Sequence, residues 1–146
     1  MRWRIVAVGR PKLPYAREGV RFYLERLAPM ARVETVYVRP GRREGAALLE
    51  ASAGWYRVVL DERGHSLRSR ELAERISAWE LRGVRKAALV VGGAEGLEPQ
   101  VRAAADWVWS LSPLTLQHEL ALLVALEQIY RAYTIKGGSG YHRERE

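Results

Sequence analysis

A chain of 146 residues, 48% hydrophobic and 28% charged, has the length of one domain and a composition that excludes a disordered tail. The absence of cysteine excludes disulfides, thiolate catalysis and cysteine metal sites. The formal charge of +7 is carried almost wholly by arginine, with lysine only at Lys12, Lys86 and Lys136; charge alone fits a polyanionic partner and a plain solvated surface equally well.

Trp3 to Val8 is β-rich and ends at Gly9, which predicts a first strand. After a turn at Lys12–Pro14, the spacing of Ala16, Val20, Tyr23, Leu24 and Leu27 predicts a helix over 15–27, stopped by Pro29. Val33 to Val38 reads as a second strand, and Glu44 to Ala53 as a short helix ended by Gly54. Tyr56 to Leu60 is a third strand that runs into a polar turn, Asp61-Glu62-Arg63-Gly64. Ser69 is suited to cap a helix with Leu72, Ile76 and Trp79 on its apolar face, closed by Gly83. Lys86 to Val91 has no polar residue after its first, the pattern of a strand covered on both faces. Pro99 opens a short helix, Trp107 to Ser110 is a fifth strand, and 117–135 is the longest helix.

Strands alternating with helices predict an α/β fold, a mostly parallel sheet with helices on both faces, undivided over 1–146. Ligands of such sheets sit beyond the carboxyl ends of the strands, here Gly9, Leu60-Asp61, Gly92-Gly93 and Leu111-Ser112. The Met1–Gly9 segment is a short apolar run broken by arginines and not a signal peptide. The most apolar stretch, Leu120 to Leu126, is flanked by glutamates and too short for a membrane span. The expected compartment is the cytoplasm, with no membrane partner.

Three features invite chemistry, and each alone has a plain structural explanation. Gly92-Gly93-Ala94-Glu95-Gly96 lets backbone amides approach a ligand, yet lacks the order of a dinucleotide fingerprint or a P-loop and also serves as a tight turn. Leu111 to Leu116 can wrap an apolar or aromatic ligand while its backbone bonds the polar edge, or can simply join strand to helix. The last helix is apolar around much of its circumference, which a two-fold dimer or a central core position would explain. His65, His118 and His142 form no metal-ligand spacing, so no metal site is expected. His142 lies in a polar tail, Tyr141-His142-Arg143-Glu144, that fits a functional end or a frayed one.

Taken in order, six blocks resemble the ribosomal RNA large subunit methyltransferase H family of the SPOUT class: Ile5–Gly9, Val59–Gly64, Val91–Leu97, Trp109–Leu116, Glu127–Ala132 and Tyr141–Glu144. The resemblance implies methyl transfer from S-adenosylmethionine to N3 of a pseudouridine in helix 69 of 23S ribosomal RNA, free or within the assembled ribosome. It also implies a deep C-terminal trefoil knot and a homodimer with its sites near the subunit interface. Carried over residue by residue, cofactor binding falls on Leu60, Gly92, Leu111, Ser112, Pro113, Leu114, Thr115 and Leu116. The acceptor side falls on His142 and Arg143, with His142 suited to take the imide proton and Arg143 to stabilise charge on the base or bind phosphate. The chain departs from the family at Gln117, usually proline, and at Ser139-Gly140, usually His-Pro. With Gly137, Gly138 and Gly140 nearby, the tail is expected to order against RNA or a partner subunit. A non-catalytic RNA- or ribosome-binding module, and a SPOUT enzyme acting on another RNA, are the competing expectations.

Overall fold

A computed structural model describes residues 1–144. Five strands, β1 (Arg2–Val8), β2 (Arg32–Val38), β3 (Tyr56–Ser66), β4 (Lys86–Val91) and β5 (Trp107–Ser110), pair in parallel in the order β2-β1-β4-β3-β5. The helices are α1 (Pro14–Leu27), α2 (Glu44–Ala51), α3 (Ser69–Leu81), α4 (Pro99–Ala103) and α5 (His118–Lys136).

The two-residue period of a strand splits the core in two. Trp3, Ile5, Ala7 and Leu89 face one way and pack with Val20 and Leu27 of α1, Ile76 and Trp79 of α3, and Leu122, Leu126 and Ile129 of α5. Val6, Val8 and Val90 face the other way and meet Leu48 of α2 and Val101 of α4. Helices therefore cover both faces of a parallel sheet, as the alternating elements predict. The central strand β4 is buried from Ala87 to Val91, which is why its sequence carries no polar residue there.

The helix ends depart from the sequence reading in instructive ways. Ser69 is the first residue of α3 and not its cap; the Arg68 backbone N–H donates to Glu71 Oε1 at 2.8 Å, while Ser69 Oγ reaches Gln128 on α5 at 2.7 Å. Gln117 caps α5, its side-chain oxygen accepting from the N–H groups of Glu119 and Leu120.

The larger correction concerns 61–64. Those residues are not a turn after β3 but an outward bulge within it, because Leu60 and His65 both pair with Trp109 and the four residues between them have no counterpart on β5. Gly64 allows the strand to return: a Cβ there would stand 2.5 Å from the Val108 carbonyl oxygen.

Candidate functional site

The bulge of β3 and the carboxyl ends of β4 and β5 surround a cleft of about 260 Å³. Its apolar wall is Leu60, Val91, Leu97, Leu111, Leu116 and Ala121, and its polar rim includes Asp61, Glu62, Arg63, Glu95, Arg102 and His118. Each wall section has a local cause. Gly96 takes φ +79 and its N–H bonds the Gly93 carbonyl at 3.0 Å, so β4 ends in a tight turn that folds Leu97 back over Gly92. Past β5, Ser110 Oγ donates to the Ser112 carbonyl and Ser112 Oγ accepts from the Leu114 N–H, both at 3.0 Å. These bonds curl the loop toward the bulge of β3, where Thr115 Oγ1 meets Glu62 Oε2 at 2.6 Å.

Of the eight cofactor positions carried by the resemblance, Leu60, Gly92, Leu111, Ser112, Leu114, Thr115 and Leu116 line this cleft, and Pro113 stands outside its lining. The pairing that organises the charged rim was not legible in the sequence. Asp61 is nearly buried, accepts the Arg63 N–H at 2.8 Å and faces Arg102 of α4 at 3.5 Å. Its pairing with a residue 41 positions away has no periodic signature, although a carboxylate beside a strand end was a usable cue.

His142 and Arg143 do not join the cleft. The tail lies on α5, where Tyr141 packs edge-on against Tyr130 and its hydroxyl donates to Glu127 Oε2 at 2.7 Å. Burial, and then that hydrogen bond, push the Tyr141 pKa well above its ordinary value. Arg131 is bound to Glu127 at 2.8 Å, lies over the Tyr141 ring at 4.7 Å, and reaches His142 Nδ1 at 3.1 Å. The Glu127 bond holds Arg131 even more firmly in its charged form. Because a guanidinium only donates, Nδ1 must accept here, which puts the ring proton on Nε2, 3.8 Å from Glu144 Oε1. Glu144 in turn pairs with Arg70 of α3, which lowers its pKa. Arg131 is ten positions beyond Ala121 on the helix, about 15 Å along its axis, so the tail and the cleft of one chain stand apart.

The partners of a third assembly have no signature in the sequence. Glu119, 8% exposed, accepts hydrogen bonds from the N–H groups of Lys12 and Leu13 at 2.8 and 2.9 Å. It ties the loop after β1 to the first turn of α5, whose dipole also favours a carboxylate. Among the described residues, no group of three His, Asp or Glu side chains has metal-binding geometry, and no helix is long and apolar enough to cross a membrane.

This five-stranded parallel fold, with a cleft between the bulge of β3 and the loops after β4 and β5, is that of the SPOUT methyltransferases, and the family model described as predicted SPOUT methyltransferase matches residues 1–142. The fold is shared with solved structures of a probable methylase family protein from Haemophilus influenzae (TM-score 0.62, 14% identity, 99% of this chain and 71% of that one). It is shared also with a probable methyltransferase from Bordetella pertussis (TM-score 0.59, 19% identity, 90% of this chain and 96% of that one). Among curated relatives, the ribosomal RNA large subunit methyltransferase H of Thermus thermophilus is 52% identical over 143 residues, covering 98% of this chain and 99% of its own. That of Deinococcus radiodurans is 39% identical over 145 residues, covering 98% and 99%. The chain belongs to the ribosomal RNA large subunit methyltransferase H family, and it is an enzyme of the methyltransferase class.

Proposed function

We propose that this protein transfers a methyl group from S-adenosylmethionine to N3 of a pseudouridine in helix 69 of 23S ribosomal RNA. The observation that carries the reading is the convergence of three distant segments, at Leu60, Gly92 and Leu111–Leu116, on one cleft in a chain whose relatives bear that enzyme's name. The donor set fits the cofactor: an aliphatic wall for an adenine ring, flanked by a rim of both signs in which Glu62 and Glu95 suit an ammonium or sulfonium and Arg63 and Arg102 a carboxylate. Bound there, the cofactor supplies an activated methyl group on a sulfonium.

The chain's own residues then have three tasks. Leu60, Leu97, Leu111 and Leu116 exclude water, and the Glu62–Thr115 bond closes the wall, so that much of the catalysis is alignment. Arg143 is suited to a phosphate or to charge growing on the base. His142 can take the acceptor's proton only through a nitrogen that carries none. With Arg131 on Nδ1 that nitrogen is not free, so the base role requires His142 to leave Arg131.

The separation of tail and cleft within one chain is met by a homodimer in which one protomer's tail serves the partner's cleft. Leu120 and Val124 are half-buried on α5, and Tyr15 and Phe22 of α1 are 50% and 44% exposed, an apolar surface suited to a second copy. The same reading makes 1–146 a single SPOUT domain working in the cytoplasm, with the Leu111–Leu116 loop and α5 as the segments of a deep trefoil knot.

The test is transfer of labelled methyl to ribosomes and to free 23S RNA from cells lacking the modification, followed by mass mapping of the product nucleotide. N3-methylpseudouridine in helix 69 is the expected product. A product on another RNA would sink the substrate assignment, and no measurable S-adenosylmethionine binding by the folded protein would favour a non-catalytic RNA-binding module.

A further inference from the structure

Arg10 and Lys12 lie in the loop after β1, and Arg39, Arg42 and Arg43 in the loop after β2; all five are exposed, and residues 9–13 and 39–43 contain no acidic residue. They are five of the 24 basic residues of a chain whose net charge is +7. None has a carboxylate within salt-bridge distance among the described residues. Arg2 and Arg4 meet Glu34, Arg21 meets Glu25, Arg102 meets Asp61 and Arg131 meets Glu127; other cations without such a partner, among them Arg17, Arg26, Arg75, Arg82 and Arg85, are spread over helices and the opposite end of the sheet, so what sets the five apart is their crowding into two adjacent loops. Concentrated charge without counter-charge is costly to self-repulsion and is kept where an external polyanion relieves it.

The two loops make one surface. Val8 and Val38 pair at the ends of their strands, the Gly9 N–H donates to the Val38 carbonyl at 2.8 Å, and Arg10 lies over the Tyr37 ring at 5.2 Å. The surface is also continuous with the cleft. Glu119 fixes Lys12 and Leu13 to the start of α5, and Glu44, directly after Arg43, lies against Gly93. Gly92 and His118 line both the cleft and a narrow recess bounded by Gly9 and Pro11.

We propose that the loops after β1 and β2 bind the phosphate backbone of the RNA substrate, with Arg10, Lys12, Arg39, Arg42 and Arg43 as the contacts. The inference rests on the RNA reading above and adds the side from which the RNA reaches the cleft. Four of the five cations are arginines, whose planar fork matches two phosphate oxygens, and a run of such contacts along one rim follows a strand of phosphates. The strand passes over the β1–β2 end of the sheet and delivers its nucleotide toward Gly92.

Equilibrium binding of intact ribosomes lacking the modification, measured over a series of KCl concentrations, tests this on the full-length protein. R10E/R39E/R42E/R43E is expected to bind at least about 100-fold more weakly, with the slope of log affinity against log salt reduced by about 3, near 0.7 to 0.9 per lost phosphate contact. Its S-adenosylmethionine affinity and thermal midpoint should match the wild type. R42K/R43K, which keeps the charge and loses the fork, should bind less than about tenfold more weakly with the salt slope unchanged, and the two-site charge reversal R82E/R85E at the opposite end of the sheet should bind within a few-fold of the wild type. Wild-type affinity and slope in the fourfold variant would overturn the proposal even with methyl transfer intact, as would a wild-type protein that does not bind ribosomes. Displacement by polyglutamate as efficient as displacement by RNA, at equal charge, would also overturn it, in favour of an acidic protein partner. A wild-type protein that binds in this manner but transfers no methyl group supports the surface and removes the reaction proposed above.

Discussion

The cleft wall at Leu60, Gly92 and Leu111–Leu116 hangs from the buried Val58–Leu60 stretch of β3 and from β4 and β5, which are buried at their last positions, whereas the tail at Tyr141–Glu144 is attached to α5 by side chains on its surface. The first region inherits its rigidity from the core and positions a ligand largely through backbone shape. The second is a small polar network, Glu127, Arg131, Tyr141, His142, Glu144 and Arg70, in which each member depends on its neighbours. A wall hung on backbone fails by steric intrusion. A tail held by side chains fails by losing one partner, and it can exchange those partners for others.

Steric intrusion gives the largest expected effect. A Cβ at Gly92 would stand 2.9 Å from Leu97 Cγ and 3.3 Å from the Gly96 carbonyl carbon. Gly92→Val therefore pries open the turn that closes the cleft, and calorimetry should show S-adenosylmethionine affinity falling by about 100-fold, near 2.7 kcal/mol. Near-wild-type affinity would mean that the wall is less rigid than its attachment to β4 implies.

A second perturbation reaches both regions, because both are mounted on α5. The Trp3 Nε1–H donates to the Tyr133 hydroxyl at 2.9 Å, and burial pushes the Tyr133 pKa up to about 12. The unfolded chain ionises this phenol near pH 10 and the folded chain only near 12. Its protonated form is fully retained in both states below pH 10, and stability is lost as the pH rises through 10 to 12, by about 2 kcal/mol. Urea midpoints at pH 8 and pH 11.5 should differ accordingly, and Tyr133→Phe should flatten that part of the dependence. An equal drop in Tyr133→Phe would assign the effect to other groups.

The network should be selectively sensitive. Arg131→Met frees His142 Nδ1 but removes the cation over Tyr141 and the partner of Glu127, so the tail loses the seating that positions His142 while the cleft stays intact. The expected result is a fall in kcat of about tenfold, close to 1.4 kcal/mol, with S-adenosylmethionine affinity unchanged. A matching loss of cofactor affinity would show that the two regions are not separable. The smallest effect is expected for Tyr141→Phe, which deletes one hydrogen bond to a carboxylate but keeps the ring against Tyr130. About a threefold loss of turnover is expected; a null result in the same assay would assign the anchoring to the ring alone.

The same contrast explains what was legible in the sequence. β4 and the glycine turn were readable because a buried strand ending in glycines writes itself locally, whereas the eight cofactor positions came only from the family resemblance. The bulge at Asp61–Gly64 was not readable. Polar residues with a glycine look like a turn, and only the packing of Gly64 against Val108 makes them part of a strand. Glu119 was visible only as a charge ending an apolar run. Its two acceptor bonds join residues more than a hundred positions apart, and no window of sequence contains both ends.

Those long reaches bear on how the chain folds as it is made. β1 is synthesised first, yet Trp3 finds its hydrogen-bond partner at Tyr133, the β1 loop finds its anchor at Glu119, and Gly19 of α1 is shaped to receive Leu123. Until α5 has been translated, the face of β1 and α1 formed by Trp3, Ile5, Val20 and Leu27 lacks a main part of its cover. The nascent chain must therefore keep apolar surface shielded until almost the whole sequence has left the exit tunnel. Release of a chain stopped before α5 yields an aggregation-prone fragment and not a smaller folded protein.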